Sequence, residues 1–167
     1  MRCIADTAPS RTAAPAPDAR PPVVLRGFRP GDVPFVAAIV EEALHERYDP
    51  SLYASLSAEW PDGFLIAAGA DDLPSGFLLG VSQVSGEARV LMFAVARGHR
   101  AQGIGAALMD EFLERCRTRQ FRRVTLEVRV SNATAIRFYA RYRYSVVDLL
   151  RAYYSDGENG YQMARPV

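Results

Sequence analysis

The most informative part of the sequence is Val90-Leu-Met-Phe-Ala-Val-Ala-Arg-Gly-His-Arg-Ala-Gln-Gly-Ile-Gly-Ala-Ala-Leu108. It reads as an apolar strand, a short polar turn, a glycine-spaced loop and the start of a helix. The first N–H groups of a helix have no intrahelical acceptor and lie at the positive end of the helix dipole, so they bind phosphate well. The spacing Arg100-x-x-Gly103-x-Gly105 lets the backbone approach a bulky anion, because glycine carries no side chain. We therefore predict a site for a phosphate-bearing cofactor.

Two familiar phosphate loops do not match this stretch. The dinucleotide-binding pattern G-x-G-x-x-G requires a third glycine, but Gly103-Ile-Gly105 is followed by Ala106-Ala-Leu108. The P-loop pattern requires a lysine, and the chain contains none. A glycine-rich turn that binds no ligand remains an alternative interpretation.

The composition indicates one globular domain. The chain has 167 residues, 49% hydrophobic residues and a formal net charge of +1, which gives no field to attract nucleic acid or an acidic membrane. Cys3, Cys116, His45 and His99 are isolated, so we expect no metal site, no disulfide framework and a reducing, cytoplasmic location. Residues 1–22 are rich in Ala and Pro and are predicted to be a disordered tail. No later run is long and apolar enough for a membrane span.

Hydrophobic periodicity predicts a mixed α/β domain over residues 23–167. The order of elements is β-α-α-β-β-β-α-β-α-β-β, and the glycine loop lies in a parallel crossover. Asp32 is predicted to cap a first helix that ends near Leu44. The clearest strand is 124–130, where polar and apolar residues alternate. Glu127 therefore lies on its polar face.

Five motifs occur in the chain in an order that one family shares. They are Leu44-His-Glu-Arg-Tyr48, Arg100-Ala-Gln-Gly-Ile-Gly105, Leu126-Glu-Val-Arg-Val-Ser-Asn132, Asn132-Ala-Thr-Ala-Ile-Arg-Phe-Tyr139 and Tyr153-Tyr-Ser-Asp-Gly-Glu-Asn-Gly-Tyr-Gln-Met163. With them the chain resembles the GCN5-related N-acetyltransferases (GNAT) and, among these, the protein N-terminal acetyltransferases: archaeal enzymes, the catalytic subunit of NatA and the bacterial ribosomal-protein alanine acetyltransferase. The resemblance implies the GNAT fold, an α/β fold with a mixed six- to seven-stranded sheet flanked by about four helices.

The resemblance also implies acetyl-CoA as cosubstrate and no metal. In such enzymes the glycine loop holds the pyrophosphate, and a strand offers its backbone to the pantetheine and the thioester carbonyl, where a donor stabilises developing charge. The matching residues are Phe93, Ala94 and Val95 on the strand, Arg100, Ala101, Gln102, Gly103, Ile104, Gly105 and Ala106 in the loop, and Asn132 and Tyr139 beside the cofactor.

The implied reaction is attack of a neutral amine on a thioester. An α-amino group titrates near 7.7–8.0 and a lysine side chain near 10.4, so the terminal amine loses its proton at a cost about 3 kcal/mol smaller. A carboxylate, acting directly or through water, is then a sufficient base. By resemblance the base is Glu127 or Glu46, and Tyr139 is the general acid toward the thiolate. The residues expected to bind the peptide are Glu46, Tyr48, Tyr153 and Tyr154.

Each assignment has a structural alternative. Glu127 can be an ion-paired strand residue with Arg89 or Arg129 as partner, and Tyr139 can be an aromatic anchor of a short helix. Glu46 can be an exposed loop acid. A group of arginines after the glycine loop can bind ribosomal RNA. The simpler interpretation is that it forms the solvated C-terminal end of a helix, where positive charge is favoured. Its members are Arg115, Arg117, Arg119, Arg122 and Arg123.

The chain departs from the family pattern at four places. His45 stands where the L-P-E-N-Y motif has Pro, and Arg89 stands where some archaeal members carry a His proposed as a second base. Tyr142-Arg-Tyr144 lacks the usual Gly before an aromatic residue, and Asn159-Gly160 replaces Asp-Ala. We expect the last two departures to alter the substrate groove.

The prediction is a cytoplasmic acyltransferase that moves the acetyl group of acetyl-CoA to the free N-terminal α-amine of proteins or peptides, with a preference for small first residues such as Ser, Ala or Thr. We expect these N-termini as partners, with the ribosome as one setting, no specific nucleic acid, no membrane, and a monomer or dimer. One alternative is a GNAT enzyme for a small-molecule amine or a lysine side chain. Another is a non-catalytic acyl-CoA-binding regulatory module.

Overall fold

A computed structural model describes residues 23–83 and 86–167, so the predicted disordered tail, residues 1–22, lies outside the described residues. Within them the chain forms seven strands and four α-helices in the predicted order. The strands are β1 (Val24–Gly27), β2 (Phe64–Ala68), β3 (Pro74–Gln83), β4 (Glu87–Val95), β5 (Arg123–Arg129), β6 (Ser145–Leu150) and β7 (Gly160–Pro166). The helices are α1 (Val33–Leu44), α2 (Pro50–Glu59), α3 (Ile104–Thr118) and α4 (Ala133–Arg141).

All the strands described above belong to one mixed sheet with the order β1-β2-β3-β4-β5-β7-β6. Strands β4 and β5 run parallel, because α3 carries the chain back across the sheet between them. The other neighbours pair antiparallel. The predicted mixed α/β architecture and its single parallel crossover are confirmed.

Helices cover both faces of the sheet. On the first, which we call the α1 face, α1 and α2 bury Val40 and Tyr53 against strand residues such as Phe77. On the second, the α3 face, α3 and α4 cover a core that includes Phe112 and Leu126. The apolar residues predicted for one side of β5 lie in this second core, so the alternation in residues 124–130 is confirmed.

The start of α1 differs from the prediction. Asp32 precedes α1, but its carboxylate makes no capping bond to the helix. It accepts two bonds of 2.8 Å from the Arg26 guanidinium and one of 2.7 Å from the Arg29 N–H. A guanidinium is a stronger partner for a carboxylate than an amide is, and Pro34 removes one donor from the first turn of the helix.

A β-bulge at Leu91 changes which side chains of β4 face which core. The residues on either side of it, Val90 and Met92, pair with successive residues of β3. Val90 lies in the core of the α3 face and Met92 in the core of the α1 face. Because the bulge shifts the alternation by one residue, Phe93 returns to the α3 face.

The sheet opens next to this bulge. The pairing of β4 with β5 ends at Val90 and Leu126. Beyond that point, in the described chain, residues 92–95 of β4 pair with β3 and residues 127–129 of β5 pair with β7, but the two segments do not pair with each other. We call the space between these two segments the notch. It leaves backbone groups of β4 free for a ligand.

Candidate active site

The glycine loop joins the open end of the notch to α3. Ala101 and Gly103 adopt left-handed conformations, with φ of 60° and 84°, and α3 begins one residue after Gly103. Within α3, the Ala107 N–H donates to Gly103 O at 3.0 Å. The N–H groups of residues 104–106 precede this bond and have no acceptor within the helix, so they form the predicted set of donors for an anion.

Side chains of the loop fold back onto its own backbone. Arg100 Nε donates to Val95 O at 2.9 Å, and Gln102 Nε2 donates to Gly98 O at 3.2 Å. These bonds brace the loop and hold the Arg100 side chain against the end of β4. They also engage Val95 O, one of the backbone groups expected to meet the cofactor.

The two glycines of the loop face different surroundings. A Cβ added to Gly103 would have no atom within 4 Å, whereas one added to Gly105 would meet Phe93 Cζ at 3.4 Å. Gly103 therefore borders open space, and Gly105 faces the sheet. Bare backbone donors beside open space fit a diphosphate group.

Aromatic rings cover the α4 side of the notch. The Phe93 ring lies 5.6 Å from that of Phe138 and 6.5 Å from that of Tyr139. The Tyr142 hydroxyl donates to Ala106 O at 3.1 Å. These contacts dock α4 against the first turn of α3, so the predicted anion donors and the apolar wall are parts of one site.

Two predicted cofactor neighbours lie at opposite ends of α4. The Asn132 side-chain oxygen accepts from the Ala135 N–H at 3.0 Å and caps the helix. Tyr139, near the other end, is 8% exposed. Burial, with a smaller contribution from Tyr154, raises the pKa of Tyr139 above its usual value of 10.0. The phenol is therefore protonated at neutral pH and available as a donor.

The polar face of β5 carries an ion pair to β4. Arg89 binds Glu127 Oε2 through Nε at 2.8 Å and through Nη2 at 2.7 Å. Nη2 also donates to the Tyr153 hydroxyl at 3.0 Å. The Glu127 side chain is 11% exposed and that of Arg89 is 27% exposed. One guanidinium thus joins a predicted base to a predicted substrate-binding residue.

Arg129 ties the loop between β6 and β7 to β5, instead of pairing with Glu127. Its Nη1 binds the carboxylates of Asp156 and Glu158 at 2.8 Å each, and its guanidinium lies 4.0 Å from the centre of the Tyr154 ring. Glu158 also accepts from the Ser131 N–H at 3.0 Å. The bonds from Ser131 and Arg129 lower the pKa of Glu158 to about 2. Sequence reasoning missed this anchor, although an acidic Asp-Gly-Glu turn indicates an arginine partner.

Tyr153 and Tyr154 pack closely on the start of β7. Their rings lie 5.1 Å apart and perpendicular, and a Cβ added to Gly160 would come within 3.3 Å of atoms of both. The alanine of the family pattern would crowd this contact, so the departure at Gly160 lets the rings lie closer to the strand. The neighbouring Asn159 fixes the loop, since its side-chain oxygen accepts from the Ala152 N–H at 2.8 Å.

The segment between α1 and α2 holds the second predicted acid. The Tyr48 hydroxyl donates to the Glu46 carboxylate, so two predicted substrate contacts are adjacent. His45 has a φ of 56°, which a proline cannot adopt, so the backbone here differs from that of an L-P-E-N-Y loop. Glu46 and Glu127 have separate partners, since Glu46 binds Tyr48 and Glu127 binds Arg89.

The arginine group after the glycine loop is largely paired. Arg115 and Arg117 bind Glu111 and Glu114 of the same helix at 2.8 Å and 2.6 Å. Arg119 lies over aromatic rings. These partners favour the interpretation as a helix end over a surface for ribosomal RNA.

Arg143 stands where the family pattern has a glycine before the aromatic residue, and the structure shows how the turn accommodates it. Arg143 takes a left-handed φ of 62°, a conformation that favours glycine. Tyr144 is buried and packs on Tyr139, with ring centres 5.7 Å apart. The turn therefore adopts a left-handed conformation without glycine, and Tyr144 supports a residue of the site.

Two further observations concern residues 23–83 and 86–167 as a whole. They contain no group of three or more His, Cys, Asp or Glu side chains placed to hold a metal ion. None of their helices has the length and apolar character that crossing a bilayer requires.

Known proteins resemble the chain over most of its length. A model of the acetyltransferase (GNAT) family matches residues 33–143. An N-alpha-acetyltransferase of Sulfurisphaera tokodaii is 31% identical over 155 residues, which cover 86% of this chain and 92% of the relative. The structure of Ard1 from Thermoplasma volcanium superposes with a TM-score of 0.83 at 41% identity, covering 87% of this chain and 97% of Ard1. Chaetomium thermophilum Naa20, solved in complex with a bisubstrate analogue, gives a TM-score of 0.80 at 27% identity and covers 87% of each chain.

Proposed function

The chain belongs to the acetyltransferase (GNAT) family, and on that basis we propose that it transfers the acetyl group of acetyl-CoA to the free α-amine at the N-terminus of proteins or peptides. The observation that carries the proposal is the notch. An anion-binding loop and an apolar wall border it on the α3 face, and Glu127, joined through Arg89 to Tyr153, borders it on the other face. A donor and an acceptor can therefore meet from opposite faces of the sheet.

The donor side is built from backbone groups. The N–H groups of residues 104–106 and the Arg100 guanidinium would hold the diphosphate of acetyl-CoA. The backbone of residues 93–95 would accompany the pantetheine arm into the notch. There a free strand N–H can donate to the thioester oxygen and stabilise the charge that develops on it.

The acceptor side supplies the base. The neutral amine nitrogen attacks the thioester carbon, a C–N bond forms, the C–S bond breaks and the amine proton passes to Glu127, directly or through water. We assign the dominant role to Glu127 because its carboxylate lies on β5 beside the notch, while Glu46 binds Tyr48 on a separate segment. Glu46 and Tyr48, with Tyr153 and Tyr154, are proposed to position the peptide.

Tyr139 suits hydrogen bonding better than full proton transfer. Burial raises its pKa above 10.0, whereas a thiol titrates near 8.5. A hydrogen bond from the protonated phenol to the charged sulfur is favourable. We propose that Tyr139 stabilises the leaving thiolate and keeps its own proton.

The test is acetyl transfer to matched peptides. Each peptide with a free N-terminus, headed by Ser, Ala, Thr, Met or a bulky residue, is paired with an N-blocked copy that contains lysine. We expect acetylation of the free peptides only, with the modified atom located by mass spectrometry. Acetylation of the blocked copies alone would refute the N-terminal assignment and favour a lysine or small-amine acetyltransferase.

We further propose that the enzyme works in the cytoplasm, as a monomer or dimer, on chains that leave the ribosome. The predicted substrate class supports the ribosomal setting. The arginines after the glycine loop do not add to this support, because Arg115 and Arg117 are paired within their own helix. Light scattering of the purified protein tests the oligomeric state. Cosedimentation with ribosomes at rising salt tests the setting, and recovery of the enzyme in the free fraction at low salt would contradict it.

A further inference from the structure

We propose that Arg89 is a positioning residue for the acetyl transfer: it holds one carboxylate oxygen of Glu127 and the hydroxyl of Tyr153, so that the other carboxylate oxygen is presented to the substrate amine. This inference rests on the proposed function and adds a role for a residue at which the chain departs from its family.

The geometry of the ion pair is asymmetric. A guanidinium and a carboxylate often form two parallel bonds that engage both oxygens. Here Nε and Nη2 of Arg89 both bind Oε2 of Glu127, at 2.8 Å and 2.7 Å. In the part of the chain that the structure describes, no hydrogen bond reaches Oε1 of Glu127. One oxygen is thus held while the other keeps its lone pairs for an incoming N–H group.

The position of the pair suits this role. Arg89 stands one residue before the end of the β4–β5 ladder, and Glu127 stands one residue beyond it. The guanidinium therefore reaches across the point where the strands separate and fixes a carboxylate that borders the notch. The Glu127 side chain is 11% exposed and the Arg89 side chain 27% exposed, so both are shielded enough from water for the ion pair to have a defined geometry.

Arg89 also sets the direction of the Tyr153 hydroxyl. The Nη2 group donates to that oxygen at 3.0 Å, so the oxygen is the acceptor of this bond and its own proton remains available. A peptide carbonyl can accept that proton. The same guanidinium thus orients the group that receives the amine proton and a group that binds the substrate backbone.

The proposed step balances without a further reactant. The amine nitrogen forms its bond to the acetyl carbon, the C–S electron pair leaves with the sulfur, and the amine proton goes to Oε1 of Glu127. Arg89 remains protonated throughout, because a guanidinium does not lose its proton in proteins. It therefore acts through Glu127 and cannot itself replace the histidine base of some relatives.

The test is a double-mutant cycle in the full-length enzyme with Arg89→Gln, Glu127→Gln and the combination, assayed on a free-N-terminus peptide. We expect Arg89→Gln to lower kcat about tenfold, since small displacements of a catalytic group are costly, and to raise the peptide KM, with the acetyl-CoA KM unchanged. In the Glu127→Gln background it should change kcat by less than about twofold, because the group through which it acts is gone. Arg89→Lys, which keeps the charge but not the fork, should lie between wild type and Arg89→Gln.

Matched measurements separate the possible failures. Arg117→Gln removes an arginine from an exposed ion pair on α3 and should leave every parameter unchanged. Acetyl-CoA affinity and melting temperature identify variants that are simply misfolded. Three outcomes would overturn the inference while wild-type activity stands. The effects of Arg89→Gln and Glu127→Gln on kcat could multiply in the double variant, or either single variant could keep the wild-type kcat. The third outcome is an Arg89→Lys variant with a kcat no higher than that of Arg89→Gln. A wild-type enzyme that modifies no free N-terminus would instead refute the proposed function.

Discussion

Replacing Gly103 by alanine tests whether a left-handed backbone turn, rather than a side chain, builds the cofactor site. Gly103 has a φ of 84°, and a Cβ there would have no atom within 4 Å. Steric overlap within the protein is therefore absent, and the cost is conformational. An L-residue in the left-handed region is destabilised by about 1–2 kcal/mol.

That cost must appear in one of two measurements. If the loop keeps its shape, the free energy of unfolding falls by about 1–2 kcal/mol, which lowers Tm by about 2–8 °C in a protein of this size. If the loop relaxes, the donors of residues 104–106 lose their alignment and the Kd for acetyl-CoA rises by about 5- to 30-fold. Calorimetric titration with acetyl-CoA and a thermal melt of the same sample measure both, and the two losses should sum to at least about 1 kcal/mol.

Gly105 provides the matched control. It lies in the first turn of α3, and its added Cβ would meet Phe93 Cζ at 3.4 Å, an ordinary contact. Alanine is the better helix former by about 1 kcal/mol. Gly105→Ala should therefore maintain or raise Tm and change the Kd for acetyl-CoA by less than about threefold. The reasoning fails if Gly103→Ala changes neither quantity, or if Gly105→Ala is the more damaging of the two.

Three sites and one pH range give further predictions. Glu127→Gln should lower kcat about 100-fold or more with acetyl-CoA affinity unchanged by calorimetry; normal turnover would remove Glu127 from the mechanism. Tyr139→Phe should lower kcat about tenfold, the loss expected for one hydrogen bond to a charged atom, and steady-state assays showing an unchanged kcat would contradict the thiolate contact. Arg129→Gln frees the loop that carries Tyr154 and should raise the peptide KM about threefold or more without changing the acetyl-CoA KM; equal changes in both would refute a role limited to the peptide. Burial raises the pKa of Tyr139 and of Tyr144 above 10.0, so the folded protein keeps protons that the unfolded chain releases, and the free energy of unfolding should fall as pH rises above about 10. Urea titrations should show a shallower fall for Tyr144→Phe, and an identical slope would contradict this origin.

Local patterns sufficed to predict most of the fold. The alternation in residues 124–130 fixes both the strand and its buried side, because each residue changes face. The glycine loop predicts a strand, a turn and a helix from the conformations that glycine permits. The cap expected at Asp32 failed because the guanidinium of Arg26, six residues earlier on β1, binds the same carboxylate. A local rule cannot register such a partner.

The sequence predicted which residues belong to the site better than it predicted the contacts between them. The Arg89–Glu127 pair was foreseen as one of two alternatives, because both residues lie on strands near the glycine loop. The bulge at Leu91 was not foreseen, since nothing in an apolar run marks the residue that the neighbouring strand skips. Without the bulge, Phe93 would face the other core, so the α4 wall of the notch depends on a feature that only the paired sheet reveals.

The sheet consists of two sections, β1–β4 and β5–β7, and in the described chain the ladder that joins them has four residue pairs. On the notch side of this seam, residues 92–95 have no partner strand in the described chain. Amide protons of β4 that point away from β3 should exchange with solvent deuterium much faster than those bonded to β3. A bound coenzyme arm would protect the same amides, so a hydrogen-exchange footprint at this seam would trace occupancy of the enzyme without any measurement of turnover.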